Sequence, residues 1–134
     1  MDKALLRAET ANNPSIINGL SVDIEDWFQV GAFENAIARD DWDGLEHRFV
    51  ANTHAVMALF DRAGVKGTFF TLGWVAERAP ALIRAIVDAG HEIASHGYDH
   101  KRVFLMDADE FAADLDRART LLQDAGGVAV TGYR

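Results

Sequence analysis

Four short apolar runs divide the chain. They lie at residues 15–24, 65–72, 91–96 and 127–133, and each is rich in β-branched or aromatic side chains. Runs of this length and composition, bounded by glycine and polar residues, are typical of β-strands. The pattern therefore predicts four strands, of which the first ends in the acidic sequence DIED.

Helical periodicity occupies the segments between these runs. Apolar residues recur at offsets of three and four over 44–63, and Gly64 follows as a C-terminal cap. Pro80 opens a second helix, which Gly90 ends. A third helix begins at Asp107, where an acidic residue three positions on completes a capping box, and it ends at a glycine pair.

Strands that alternate with helices of this length predict an α/β fold with a parallel sheet. In such sheets ligands bind at the carboxyl ends of the strands. Three of the predicted strand ends carry reactive groups, in the sequences DIED, SHGYDH and GYR. We therefore expect these groups, which are far apart along the chain, to meet at one rim of the sheet.

Composition and charge narrow the class of protein. The chain has 134 residues, enough for one domain, with 49% hydrophobic and 25% charged residues. Its net charge of -8 argues against nucleic-acid binding, and the absence of cysteine excludes a disulfide framework. No apolar run is long enough for a membrane span, and we recognise no signal peptide, so we expect a cytoplasmic protein. The sequence does not indicate an oligomeric state.

The pair of histidines in SHGYDH is a candidate metal site. His96 and His100 are four residues apart, too far for a shared ion in an extended strand but one turn apart in a helical turn. Gly97 permits such a turn after the third strand. The alternative is that both histidines are polar residues of a surface loop.

Three carboxylates lie within four residues where the first strand should end, and they could complete that site. Asp23 lies at the end of an apolar run, where an unpaired charge is unfavourable. A cation would offset this charge, and so would Arg134 at a neighbouring strand end. A solvated acidic loop, with Asp26 capping a turn, is the alternative. Taken together, the acids and histidines favour a site of two histidines and one carboxylate, which suits zinc, cobalt or nickel.

The remaining histidines and aromatic residues are weaker candidates. We expect His47 and His54 on the surface and His91 in a structural role at the opposite rim. Phe69, Phe70 and Trp74 are expected in the core. Four aromatic residues that follow the acidic strand end are either a platform for a sugar ring or core packing: Trp27, Phe28, Phe33 and Trp42.

The segment GTFFTLGWVAERAPALIRAIVDAGHEIASHGYDH resembles the NodB-homology polysaccharide deacetylases, carbohydrate esterase family four. The likeness covers residues 16–134. SVDIEDWFQV and the terminal GYR look most like the subgroup found with exosortase-linked exopolysaccharide loci. The resemblance implies a distorted (β/α) barrel and metal-dependent removal of N-acetyl groups from the amino sugars of a polysaccharide.

The resemblance also implies roles for individual residues. By position, Asp23 is similar to the catalytic base, Arg134 to the arginine that orients it, and His96 and His100 to the histidine ligands, although Gly97 replaces the usual small hydroxyl residue. Ile24 occupies the place of the usual ligand aspartate, so the third ligand is Glu25 or Asp26.

We favour Glu25 because alternate residues share a strand face, so that it lies on the side of Asp23. Asp26 would require the strand to have turned already. We assign Trp27 and Tyr133 to substrate binding.

A later family motif, with a histidine acid, is absent from the sequence. We therefore expect an N-terminal extension at 1–15 and, at 16–134, the N-terminal part of a deacetylase domain, inactive or nearly so by itself. Hydrolysis of small cyclic amides on the same fold and a non-catalytic binding fragment are the alternatives. A magnesium-binding receiver domain would leave the histidine pair unexplained.

Overall fold

The computed structural model describes residues 17–134. The predicted extension at 1–15 lies outside the described residues. Strands alternate with helices, and three short 3-10 segments lie in the connections. The strands are β1 (Ser21–Ile24), β2 (Thr68–Thr71) and β3 (Glu92–Ser95); the helices are α1 (Phe49–Ala63), α2 (Gly73–Arg78), α3 (Pro80–Asp88) and α4 (Ala108–Gly126); the 3-10 segments are Gly31–Phe33, Arg39–Gly44 and Val103–Leu105.

The three strands form one parallel sheet in the order β1-β2-β3. Ile24, Thr71 and Ser95 are in register at their carboxyl ends. Because parallel strands all end at the same edge of a sheet, the residues that follow these three emerge at one rim. The predicted α/β class and parallel pairing are confirmed.

Local signals set the ends of the helices as the sequence predicted. Gly64 ends α1 with a left-handed φ of 66°, and Gly127 ends α4 in the same way with φ of 67°. At the start of α4, the Asp107 side chain accepts from the Glu110 N–H at 2.8 Å, and the Glu110 carboxylate accepts from the Asp107 N–H at 3.1 Å. The predicted capping box is therefore present.

The predicted fourth strand at 127–133 is wrong as a strand. Its backbone pairs with β3 only around Ser95, whose N–H donates to Gly132 at 2.8 Å and whose carbonyl accepts from Arg134 at 3.1 Å. Further back, the Val130 N–H donates to the side chain of Gln123 in α4 at 3.1 Å. The first half of the segment is thus bonded to a helix, which leaves one bridge rather than a ladder.

Two helix predictions also need correction. The first helix begins at Phe49 rather than at 44, because Arg39–Gly44 form a separate 3-10 segment. The short helix α2 was not predicted. Its first N–H groups donate to the loop after β3, from Gly73 to the Gly97 carbonyl at 2.9 Å and from Trp74 to the Tyr98 carbonyl at 2.8 Å. Such contacts between distant segments leave no mark in local periodicity.

A cluster of aromatic rings holds the long connection from β1 to α1 against the sheet. Trp74 in α2 is fully buried and lies edge-on to Phe28, Trp42 and Phe49 at centroid distances of 5.7 to 6.0 Å. Rings of this size bury much apolar surface and are among the largest contributors to a core. None of the helices within residues 17–134 is long and apolar enough to cross a membrane.

Candidate metal centre

Glu25, His96 and His100 come together at the carboxyl rim of the sheet. One ligand atom from each lies within 4.8 Å of the other two. Oε2 of Glu25 is 3.1 Å from Nε2 of His100 and 4.0 Å from Nε2 of His96, and the two imidazole rings are edge-on with centroids 5.1 Å apart. The strand ends therefore converge as the sequence predicted.

The sheet explains this convergence. Glu25 directly follows β1 and His96 directly follows β3, with β2 between them. Two inter-strand spacings separate these backbones by about 10 Å, so both side chains must lean over the end of β2 to meet. The His96 N–H, which donates to the Thr71 carbonyl at 3.0 Å, fixes the start of the loop that carries both histidines.

The loop from Ser95 to His100 is not the helical turn that the sequence predicted. It is a bend in which both Gly97 and His100 have left-handed backbones, with φ of 75° and 64°. This region is readily accessible to glycine but uncommon for histidine. The two reversals, rather than one turn of helix, bring the histidine rings side by side.

A backbone carbonyl orients His96. Nδ1 of its ring lies 2.8 Å from the carbonyl oxygen of Arg134. Because a carbonyl only accepts, Nδ1 carries the hydrogen in this bond, and Nε2 is the ring nitrogen that faces Glu25, at 4.0 Å from its Oε2. Metal-binding histidines are commonly held in this way by a second hydrogen bond.

The environment of the Glu25 carboxylate shows whether these three residues are suited to bind a cation. Its Oε2 is buried and makes no hydrogen bond among residues 17–134, although Nε2 of His100 lies 3.1 Å away. A buried carboxylate oxygen without a partner is unfavourable unless a positive charge neutralises it. Two neutral imidazoles and one carboxylate suit a divalent zinc, cobalt or nickel ion, so the residues present fit a metal.

Asp23 and Arg134 form an ion pair beside this group. The Arg134 guanidinium donates to Oδ1 of Asp23 and to Oγ of Ser21, the latter at 3.1 Å, and it lies 4.5 Å from the centre of the Phe70 ring. Oδ2 of Asp23 is 4.0 Å from Nε2 of His96. The expected contact between the acid and the arginine is therefore present.

Asp26, the alternative third ligand, is not part of this group. Its buried carboxylate accepts from the Trp27 N–H at 2.8 Å, the Arg48 N–H at 2.6 Å and the Phe49 N–H at 3.2 Å. Oδ1 thus binds the neighbouring Trp27 N–H, and Oδ2 binds backbone at the start of α1. The structure therefore brings Glu25, and not Asp26, together with the histidines, because the chain turns after Glu25 and points the next side chain inward.

Of the aromatic residues that follow β1, some lie in the core and others are exposed, where they could contact a sugar ring. Phe28 and Trp42 are core residues, whereas Trp27 and Phe33 are 38% and 41% exposed and contact each other edge-on at 6.0 Å. Tyr133 is 44% exposed and packs on Phe111 at 5.6 Å. Burial raises the pKa of the Tyr133 hydroxyl, which therefore remains a proton donor at neutral pH.

A cavity of about 240 Å³ adjoins His100. Trp27 and Tyr133 do not line it. Its charged residues include Arg39, which donates to Asp99 at 3.1 Å, and Arg102, which donates to Glu34 at 3.1 Å. Sequence reasoning missed these residues, because Arg39 and Asp99 are brought together only by the fold.

The other histidines lie away from the centre. His91 is buried at the opposite rim, where its Nδ1 accepts from the Gly67 N–H at 3.2 Å and its ring packs on Phe69. This agrees with the structural role predicted for it. His54 is exposed, as predicted. His47 is exposed too, but it lies outside α1 and bonds to the Trp42 carbonyl at 3.0 Å.

Comparison with known proteins places this architecture in a class. The chain superimposes on a Mycobacterium smegmatis protein described as a polysaccharide deacetylase, with a TM-score of 0.72 and 28% identity over 87% of this chain and 41% of that one. A CE4 family pseudoenzyme from Bacillus anthracis shares the fold, with a TM-score of 0.65 and 19% identity over 86% and 33% of the two chains. The fold is therefore that of the NodB-type barrel deacetylases, of which the chain forms a part.

The profile of the polysaccharide deacetylase family matches residues 37–134, and the chain belongs to that family. The match includes His96, His100 and Arg134, whereas Asp23 and Glu25 precede it. The sequence is 35% identical to a peptidoglycan deacetylase of Helicobacter pylori over 78 residues, which are 58% of this chain and 27% of that protein.

A peptidoglycan-N-acetylglucosamine deacetylase of Bacillus cereus is 30% identical over 96 residues, which are 72% of this chain and 33% of that protein. The chain thus spans about a third or less of these two relatives.

Proposed function

We propose that this chain carries the metal-binding half of the active site of a deacetylase that hydrolyses N-acetyl groups on the amino sugars of a polysaccharide. The observation that carries the proposal is the convergence of Glu25, His96 and His100 around a buried carboxylate oxygen that makes no hydrogen bond within residues 17–134. Membership of the polysaccharide deacetylase family supports the reaction class.

Glu25, His96 and His100 would hold a divalent metal, for which zinc is the first choice and cobalt or nickel the alternatives. When bound, such an ion supplies Lewis-acid polarisation of the acetamide carbonyl. The Arg134 carbonyl accepts from Nδ1 of His96, so Nε2 is the ring nitrogen that would bind the metal.

Asp23 is the residue best placed to act as general base. One of its oxygens is engaged by Arg134, which leaves Oδ2 directed toward His96. Its side chain is 34% exposed, so water reaches it. A base must lie within reach of the proton that it accepts, and the arginine holds the carboxylate in one orientation for that transfer. In this scheme Asp23 removes a proton from the attacking water.

Trp27 supplies an exposed aromatic face near this rim, and Tyr133 a protonated hydroxyl. We assign both to contacts with the polysaccharide. The net charge of -8 favours a neutral acetylated chain over an anionic polymer. Two of the relatives named above are peptidoglycan deacetylases. The resemblance of this chain to the exosortase-linked subgroup favours an exopolysaccharide. Both polymers therefore belong in the substrate panel.

Metal binding is tested on the chain itself. We expect the purified protein to bind one equivalent of zinc, and both His96→Ala and Glu25→Gln to lose that binding. His54→Ala, on an exposed face of α1, is the matched control and should bind as the unsubstituted protein does. Equal zinc affinity in all four proteins would contradict the site.

Activity is tested on the whole protein in which this chain occurs. We expect release of acetate from N-acetylated oligosaccharides, and we expect Asp23→Asn to abolish it while zinc content stays the same. Turnover of small cyclic amides instead would support the alternative substrate class. Tight zinc binding without any hydrolysis would support a non-catalytic binding function.

A further inference from the structure

Tyr98 lies midway between the two histidines and is held at both ends. Its N–H donates to the two carboxylate oxygens of Asp114, in α4, at 3.3 and 3.1 Å. Its hydroxyl donates to Glu77, in α2, at 2.7 Å, and the Arg117 guanidinium lies 3.4 Å from the centre of its ring. The middle of the histidine loop is therefore fastened to two helices that carry no proposed metal ligand.

The Asp114 carboxylate occupies the space next to Gly97 that a side chain at position 97 would fill. Gly97 has a left-handed φ of 75°, and a Cβ built there would lie 3.0 Å from Oδ2 of Asp114. A side chain at position 97 would thus meet the carboxylate that holds the Tyr98 N–H. In this chain, glycine stands where the family resemblance leads one to expect a small hydroxyl residue, and a carboxylate from another helix approaches the same place.

We propose that Asp114 is a positioning residue for the metal centre: by holding the Tyr98 N–H in the space that Gly97 leaves open, it fixes the bend that aims His100 at Glu25. This inference rests on the proposed metal-binding function. The bend needs such support, because His100 adopts a left-handed φ of 64°, which a non-glycine residue keeps only when its surroundings enforce it.

The surroundings of Asp114 agree with a positioning role. Burial raises the pKa of Asp114, an effect that the Tyr98 N–H partly opposes. A carboxylate placed where its charge is disfavoured contributes little to stability by itself. Its position is better explained by what it does to the loop than by a contribution to the stability of α4.

The first test removes the carboxylate. We expect Asp114→Ala to bind cobalt(II) about ten- to a hundredfold more weakly, the range typical for loss of a group that orients a metal ligand. We also expect an altered visible spectrum of the bound ion. Asp116→Ala, in the same helix and with an exposed side chain, is the matched control and should leave both unchanged. Unchanged affinity and spectrum in folded Asp114→Ala would overturn the inference.

The second test approaches the same contact from the loop, and it decides the matter if Asp114→Ala does not fold. Gly97→Ala places a methyl group against the carboxylate, and we expect weaker cobalt affinity and an altered spectrum. Gly64→Ala is its control, because Gly64 has a similar φ of 66° but no atom of residues 17–134 within 4 Å of the added Cβ. Gly97→Ala with full metal affinity would also overturn the inference.

A third arm separates this inference from the proposed function. If the unsubstituted protein binds no cobalt, or if His96→Ala binds it equally well, the metal centre itself is wrong. If His96→Ala loses cobalt while Asp114→Ala and Gly97→Ala keep it, the centre stands and only the positioning role fails.

Discussion

Replacement of Asp26 should destabilise the fold and leave the metal centre intact. Its carboxylate accepts three backbone N–H groups, from Trp27, Arg48 and Phe49, and it is 3% exposed. Two of these donors lie at the start of α1, so this one side chain joins the end of β1 to the helix. Asp26→Ala would leave all three donors without this partner in a largely buried place.

The size of the effect follows from these contacts. A hydrogen bond to a charged group is worth about 1.5–3 kcal/mol, and the three share one carboxylate, so their contributions are not additive. We expect Asp26→Ala to lower the free energy of unfolding by about 3–5 kcal/mol, and Asp26→Asn, which keeps one acceptor oxygen, by about 2 kcal/mol. Losses of this size are a large part of the stability of a small domain.

Urea unfolding of the metal-free protein measures these losses. Fluorescence of the buried Trp42 and Trp74 reports the transition, and Asp124→Asn, on an exposed part of α4, is the control. Zinc affinity of folded Asp26→Asn should equal that of the unsubstituted protein. Glu25→Gln should show the opposite result, with zinc binding lost and stability unchanged or increased, because Oε2 of Glu25 accepts no hydrogen bond from the part of the chain that the structure describes.

Two results would refute this reasoning. The first is an Asp26→Asn protein of full stability that binds no zinc, which would make Asp26 the ligand. The second is a Glu25→Gln protein that unfolds more easily yet binds zinc normally, which would make Glu25 the structural acid.

Three further predictions concern other parts of the chain. Burial lowers the pKa of His91 below its usual 6.5, so the unfolded state takes up a proton before the folded state does, and the protein loses stability as the pH falls below 6.5. Thermal unfolding at about pH 7.5 and 5.5 measures this loss, and the decrease in melting temperature between the two should be smaller in His91→Asn. Asp107→Ala removes the capping box and should cost about 1 kcal/mol in urea unfolding. Arg134→Lys keeps the backbone carbonyl but not the paired donation to Asp23 and Ser21, so deacetylation by the whole protein should fall about tenfold or more at unchanged zinc affinity.

The local parts of the fold could be predicted from the sequence. Alternating strands and helices follow from hydrophobic periodicity, and the ends of α1 and α4 follow from Gly64, Gly127 and the Asp107 capping box. These features depend on residues within one or two turns of each other. The meeting of the acidic and histidine segments also followed, because parallel strands end at one edge.

Other features were decided only by contacts between distant segments. The choice between Glu25 and Asp26 depended on the amides of α1, which lie more than twenty residues away in sequence. The loop at Gly97 and Tyr98 is hydrogen-bonded to α2 and α4. The segment predicted as a fourth strand makes a single bridge, and its Val130 N–H donates to the Gln123 side chain instead.

The sequence by itself determined which elements form and which chemical groups reach the rim, since both follow from local pattern and strand direction. Only the tertiary structure decided which carboxylate faces the histidines. The Asp26 oxygens accept hydrogen bonds from backbone N–H groups, including that of Arg48 at the start of α1, whereas Oε2 of Glu25 accepts none within residues 17–134.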